Sequence, residues 1–173
     1  MNPDAFQLRI YGDPVLRRRA GEVEVFSELL KRQAEKMFEI MYEHEGVGLA
    51  ANQVGLLDRL IVLDVPVDDE TRAVMALVNP VIVDSRGEEV ADEGCLSVPG
   101  IRGDVTRADY LRVEAMNLKG DKVTFQADGL LARAIQHEID HLDGVLFVDR
   151  LSPVRRKLIE GRLKQVAQEY AAG

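Results

Sequence analysis

The sequence contains few cysteines and histidines, residues that form disulfide bonds or bind metals. It has one cysteine, three histidines and no tryptophan among 173 residues. A single cysteine excludes an internal disulfide bond, and this fits a reducing compartment such as the cytoplasm. A chain of this length buries a sizeable core without disulfides, so we expect residues 1–173 to form a single domain.

Further absences narrow the class of protein. No apolar run approaches the ~18–20 residues that span a bilayer, and Met1–Leu8 lacks the basic residues that open a signal peptide. Basic residues are also in deficit, since the net charge is −8 and the pI is about 5.0. Nucleic-acid-binding domains are more often basic. We therefore expect a cytoplasmic protein with no membrane partner and no sequence-specific nucleic-acid partner.

The segment Gln136–His141 holds two of the three histidines and reads H-E-x-x-H after its first residue. Helical residues four apart lie on one face, so His137 and His141 can bind one metal ion together. Glu138 lies next to the first of these ligands, where it can reach a water molecule without binding the metal. The pattern predicts a metal-dependent hydrolase.

Two histidines do not complete such a site, which usually has three protein ligands and an open position. The candidates for the third ligand are Cys95 and Glu160, and spacing alone does not choose between them. With Glu160 the protein would be a zinc endopeptidase. Glycines and a proline surround Cys95, whereas a buried inert cysteine would more often lie in an apolar strand. A closed structural site lacks ligands, because His44 is the only other histidine.

The hydrophobic pattern predicts a mixed architecture. Predicted helices cover residues 25–44 and 153–170, and a third begins between 126 and 129 and ends at 144. Predicted strands cover 60–65, 76–83, 111–116 and 122–125. Gly46 is placed to end the first helix, and Pro80 indicates an edge strand or a bulge. Strands outnumber helices and do not alternate with them. We therefore expect an α+β fold, with antiparallel or mixed sheets around a central metal-binding helix and further helices toward each terminus.

Three separated segments resemble the signature motifs of peptide deformylases, the enzymes that remove the formyl group from new bacterial proteins. These segments are Gly46–Gly55, Glu93–Ser97 and Gln136–Leu142, within a similarity that extends from about residue 6 to 155. The resemblance implies that Cys95, His137 and His141 bind the metal, which leaves Glu160 as an exposed helix residue. Asn52 departs from the pattern, because many members have proline or threonine there, and we expect it to affect loop stiffness.

The resemblance also implies the chemistry of a catalytic domain. It implies one Fe(II) per chain, with Zn(II), Ni(II) or Co(II) able to replace it. A metal-bound hydroxide would attack the formamide carbonyl, and Glu138 would act as general acid and base. The side-chain amide of Gln53 and the backbone N–H of Leu96 would stabilise the oxyanion.

An N-formyl-methionyl peptide is the substrate that the resemblance implies. The candidate substrate-binding residues are Gly46, Val47, Gly48, Arg102, Leu130, Arg133 and Ala134. The glycine-rich segment can expose backbone groups that pair with an extended peptide. The three helical candidates lie on the side of His137 and suit a methionine pocket. Core packing is the alternative for the leucine and the alanine, and the arginine at 133 is expected to reach solvent.

The C-terminal segment 151–173 has five basic residues and only two acidic ones, in contrast with the rest of the chain. A basic helix can steer a protein toward a polyanion. Because the family acts on chains leaving the ribosome, the ribosome near its exit tunnel is a candidate partner. The alternative is a solvated amphipathic helix that packs through Leu158, Leu163 and Val166.

Overall fold

The computed structural model describes residues 1–172, and Gly173 of the predicted C-terminal segment lies outside the described residues. Over this range the α-helices are α1 (Glu28–Glu43), α2 (Gly129–Leu142) and α3 (Pro153–Ala172). The strands are β1 (Gly48–Ala50), β2 (Leu60–Pro66), β3 (Arg72–Arg86), β4 (Glu89–Cys95), β5 (Val98–Arg107), β6 (Tyr110–Met116) and β7 (Lys122–Asp128). The predicted α+β class is confirmed. None of the helices described has the length and apolar character needed to cross a membrane.

Five strands form one antiparallel sheet in the order β1-β2-β3-β6-β7, and β4 pairs with β5 in a separate hairpin. Strand β2 is buried on both faces of the larger sheet. Ile61 and Leu63 belong to the core under α2, whereas Leu60 and Val62 belong to the core under α1. A strand covered on both faces has no polar side, which explains the continuous apolar run at residues 60–65.

Helix α2 lies between the larger sheet and the β4–β5 hairpin. On one side, Ile135 packs into the core formed with the sheet. On the other side, the Arg133 guanidinium donates to the carbonyl oxygen of Val105 in β5 at 2.9 Å. The ring of His137 contacts Glu93 in β4 on the same side. The expected central helix is therefore present, and it faces the strand that carries Cys95.

The first helix ends differently from the prediction that Gly46 would terminate it. Glu45 adopts the left-handed conformation, with φ of 56°. Gly46 then donates its N–H to the Met41 carbonyl at 2.8 Å, which completes a Schellman motif. Glycine at position 46 instead allows close packing, because a Cβ there would lie 2.7 Å from Leu96 Cδ1. This close contact brings the segment after α1 against the turn after Cys95.

Strand β3 is longer than predicted, and Pro80 lies at a bulge. The strand pairs with β2 on one side and β6 on the other, so it is not an edge strand. Its register with β6 shifts between Val78 and Val81, which accommodates a residue that cannot donate to the ladder. Strands β1, β4 and β5 have no counterpart in the predicted set. In β5 a Cβ at Gly103 would lie 2.7 Å from Cδ2 of Leu151, so glycine lets this side chain pack directly against the strand.

Helix α3 begins at Pro153, as predicted, and packs through one apolar stripe. Ile159, Leu163 and Val166 are buried in a third core with β5. Leu158 is 72% exposed, so its predicted packing role is wrong. It precedes Ile159 by one residue and is thus rotated about 100° away from the buried stripe.

Candidate active site and metal centre

Three donor side chains converge where the end of β4 meets α2. The ligand atoms of Cys95, His137 and His141 all lie within 4.8 Å of one another. The Cys95 sulfur lies 3.3 Å from Nε2 of His141, which is 3.2 Å from Nε2 of His137. The two histidines occupy successive turns of α2, so the i, i+4 spacing brings them together. The cysteine comes from a strand 42 residues earlier.

This donor set fits a divalent transition metal. One thiolate and two imidazoles form the sulfur–nitrogen set that zinc and related metals accept, with a fourth position left for water or substrate. Glu160 is not part of the group. Its carboxylate is half exposed on α3 and pairs with Lys157 and Lys164 at 3.6 Å and 3.3 Å.

Glu93 supports the group from behind His137. Its Oε2 lies 3.0 Å from Nδ1 of His137, and its carboxylate also accepts from Arg107 at 2.7 Å and from Arg133 at 2.8 Å. Burial alone would raise the pKa of Glu93, but hydrogen bonds with Arg107 and His137 outweigh it and hold that pKa well below its usual range. A carboxylate at this position fixes the orientation of the imidazole.

Sequence reasoning assigned no role to Glu93, although it opens the second signature segment. The same contacts correct the expectation for Arg133. This side chain was expected to reach solvent, yet it is only 6% exposed. The buried carboxylate of Glu93 and the Glu89 carbonyl, at 2.8 Å, hold it inside the protein.

The Glu138 carboxylate is buried and faces Gly48 across the site. The side chain is 5% exposed, and its Oε2 has no hydrogen-bond partner among the described residues. A Cβ at position 48 would lie 2.6 Å from Oε1, so glycine is required for this approach. Burial raises the pKa of Glu138 to about 7. A carboxyl group with this pKa can exchange a proton near neutral pH.

Gln53 approaches Cys95 from a short 3₁₀ turn, Ala51–Val54. Its Oε1 accepts from the Ala50 N–H at 2.9 Å, which leaves Nε2 facing the cysteine. Nε2 donates to Ser97 Oγ at 3.0 Å and lies 3.6 Å from Cys95 Sγ. The buried Ser97 is a contact that sequence reasoning missed, although it closes the second signature segment.

A cleft of ≈ 500 Å³ is lined by Gln53, Glu93, Cys95, His137 and Glu138, with His141 buried beneath it. Every predicted catalytic and substrate-binding residue lines it: Gly46, Val47, Gly48, Gln53, Leu96, Arg102, Leu130, Arg133, Ala134 and Glu138. Leu96 occupies the turn between β4 and β5. Leu130 is 48% exposed and Ala134 is buried, so only the alanine fits the alternative of core packing. Arg102 pairs with Asp92 at 2.5 Å on the rim.

A central helix with H-E-x-x-H beside a converging cysteine, in an α+β frame, defines the class as a metal-dependent hydrolase. The sequence profile of the polypeptide deformylase family matches residues 5–157. The chain therefore belongs to the peptide deformylase family, whose members are enzymes that hydrolyse the formyl amide of N-formylmethionyl peptides.

Relatives and solved structures agree with this membership. The chain is 44% identical to a peptide deformylase of Thermotoga neapolitana over 94% of its length and 97% of the relative's. It is 48% identical to one of Neisseria meningitidis, with coverage of 90% and 92%. The crystal structure of a peptide deformylase from Legionella pneumophila is similar, with a TM-score of 0.86, 41% identity and coverage of 97% and 98%. That from Thermus thermophilus has a TM-score of 0.87, 44% identity and coverage of 95% and 98%.

Proposed function

We propose that residues 1–173 form one catalytic domain that removes the formyl group from N-formyl-methionyl polypeptides in the cytoplasm. The observation that carries this proposal is the convergence of Cys95, His137 and His141 at a cleft that Cys95, His137 and the buried Glu138 line. Contacts between distant segments favour a single domain. For example, Tyr170 at the end of α3 donates its hydroxyl to Asp13 at 3.0 Å.

The metal would be held by Cys95, His137 and His141, one ion per chain. When bound, it would lower the pKa of water so that hydroxide is available at neutral pH to attack the formamide carbonyl. The donor set suits several divalent metals, and the family resemblance favours Fe(II), with Zn(II), Ni(II) or Co(II) as substitutes. An iron-loaded sample prepared without oxygen should therefore turn over faster than the zinc form.

Glu138 would accept a proton from the attacking water and deliver it to the leaving amine of methionine. Its burial and its pKa of about 7 support both halves of this exchange. Gly48 permits the carboxylate to lie close to the peptide-facing backbone. A carboxylate without a fixed partner on Oε2 keeps an acceptor atom available for that proton.

Gln53 would stabilise the negative charge that develops on the formyl oxygen. Because the Ala50 N–H fixes Oε1, the amide nitrogen must point toward Cys95 and Ser97. A donor fixed before the reaction costs no reorganisation when the oxyanion forms. We assign the second donor to the backbone N–H of Leu96, which lies in the turn directly after Cys95.

The peptide would bind along the cleft as an added strand. Gly46–Gly48 offers backbone groups on one wall, and β4 and β5 offer them on the other. Leu130 and Ala134 provide an apolar wall for the methionine side chain. Arg133 contributes little charge, since it is engaged with Glu93, whereas Arg102 lies on the rim within reach of the peptide backbone.

The ribosome near its exit tunnel is the partner that we propose for α3. The side chains of Lys157 and Lys164 are 84% and 70% exposed, and Val154 and Leu158 are each 72% exposed on this helix. Reversing the charge of both lysines should weaken co-sedimentation with ribosomes. Lys122→Glu on β7 is the control, and equal co-sedimentation of all variants would contradict a contact through α3.

Formate release from a formyl-methionyl tripeptide tests the proposed reaction. Iron-loaded protein should release formate rapidly, Glu138→Gln should keep the metal without turnover, and Cys95→Ala should lose the metal. Glu160→Ala should behave as the parent does. If Glu160→Ala lost the metal while Cys95→Ala kept it, the endopeptidase would be the better assignment.

A further inference from the structure

Asn52 is a fully buried polar residue that the proposed mechanism does not use. It lies in the 3₁₀ turn immediately before Gln53 and has no exposed surface. Its amide nitrogen donates to the carbonyl oxygen of His141, 89 residues away in the chain. It also contacts the Arg18 carbonyl oxygen at 3.4 Å. Asn52 therefore connects the segment that carries one catalytic candidate to the backbone of a candidate metal ligand.

The contact between Asn52 and His141 lies at the C-terminal end of α2. The last four carbonyls of a helix lack intrahelical partners and need donors from elsewhere. The carbonyl of Leu142 accepts from Ala20 N–H at 2.8 Å, and that of His141 accepts from Gly144 N–H at 3.0 Å. His141 receives the Asn52 amide as an additional donor. Its backbone is thus held by a side chain from outside the helix.

The two histidines differ in how their rings are supported. His137 has Glu93 on its second ring nitrogen at 3.0 Å. Nδ1 of His141 is buried and has no hydrogen-bond partner among the described residues. Ligand histidines usually gain their orientation from a hydrogen bond at this nitrogen. The orientation of the His141 ring must instead depend on its backbone and on packing. The packing includes an edge-on arrangement with the His137 ring, with 4.9 Å between the ring centroids.

We propose that Asn52 is a positioning residue that holds His141 in place as a metal ligand. The amide secures the His141 carbonyl, and the same side chain ties the turn of Gln53 to the end of α2. Loop stiffness, the role expected from the sequence, does not account for a bond to a ligand residue. This inference rests on the proposed metal site.

Metal retention provides a test that does not depend on turnover. Asn52→Ala and Asn52→Leu both remove the donor, and the leucine nearly preserves the shape, so one of the two is expected to fold. Protein loaded with Co(II) or Zn(II) is mixed with excess chelator, and the rate of metal loss is measured. Loss of a supporting contact should speed metal loss by about 10–100-fold. The visible spectrum of the Co(II) form should also change, because the His141 ligand field changes.

Asn79→Ala is the matched control. The Asn79 side chain makes two hydrogen bonds to Val23, at 2.8 Å and 2.9 Å, and touches no candidate ligand. The Asn79→Ala substitution should lower the Tm without changing the metal-loss rate or the Co(II) spectrum. Parental retention in both Asn52 variants, or equally fast loss in the control, would overturn the inference and leave the metal site intact. A parent protein that takes up no metal would overturn the proposed function itself.

Discussion

Glu93→Gln should leave two buried guanidinium groups without the carboxylate that they share. The side chains of Glu93, Arg107 and Arg133 are 5%, 3% and 7% exposed, so water replaces little of the lost interaction. Removing one partner of a buried ion pair costs about 3–5 kcal/mol. Arg107 keeps its pair with Asp140 at 2.7 Å, and Arg133 keeps two backbone carbonyls. We therefore expect Glu93→Gln to lower the free energy of unfolding by about 3 kcal/mol, the lower end of this range.

Urea unfolding of the metal-free protein at pH 7 measures this difference without any contribution from metal binding. Asp92→Asn is the control, because Asp92 precedes Glu93 on the same strand but faces solvent. Its pair with Arg102 involves side chains that are 51% and 63% exposed. Such a surface pair contributes at most about 1 kcal/mol. If Glu93→Gln cost no more than the control, the charge cluster would not stabilise the fold as argued.

The same residue predicts a dependence on pH. The folded protein holds the pKa of Glu93 below its ordinary value of 4.5. The unfolded state therefore binds the proton more readily, and stability due to Glu93 is present above pH 4.5 and declines as the pH falls below it. The free-energy gap between the parent and Glu93→Gln should narrow on acidification. A gap of constant size from pH 7 to pH 3 would refute the assignment to the ionised carboxylate.

Four further substitutions test individual residues of the site and of α3. Gly48→Ala should displace the Glu138 carboxylate, because Oε1 would lie 2.6 Å from the new Cβ. This displacement should lower kcat about 10²-fold. Circular dichroism checks that the fold is retained. Gln53→Ala should lower kcat by about 10²–10³-fold through loss of one oxyanion donor; an unchanged kcat would remove Gln53 from that role. Leu163→Ala on the buried stripe of α3 should cost about 2–5 kcal/mol. Leu158→Ala should cost under about 0.5 kcal/mol, and chemical denaturation compares the two.

Elements with a strong periodic pattern could be predicted, and those held by distant contacts could not. The three helices and the strands β6 and β7 follow from the pattern of apolar residues, and β2 follows from its continuous apolar run, which is buried on both faces. The β4–β5 hairpin lacks such a pattern. Gly103 packs closely against Leu151, Gly100 adopts a positive φ of 72°, and charged residues such as Glu93 and Arg107 bind one another or α2. Buried positions in β5 do alternate from Ile101 to Arg107, but Gly103 and Arg107 occupy two of them, so apolar side chains do not mark the period.

In the candidate site too, residues placed by local spacing could be predicted, and those placed by distant contacts could not. His137 and His141 were found because a helix converts a spacing of four residues into proximity, a rule that needs no other part of the chain. Cys95 could not be chosen over Glu160 on spacing, since β4 reaches α2 only through the tertiary fold. The supporting role of Glu93 was missed, and Asn52 was expected only to affect loop stiffness. Glu93 and Asn52 contact His137 and His141 from 44 and 89 residues away. Local sequence thus predicts which atoms can bind a metal, whereas tertiary contacts decide how firmly those atoms are held.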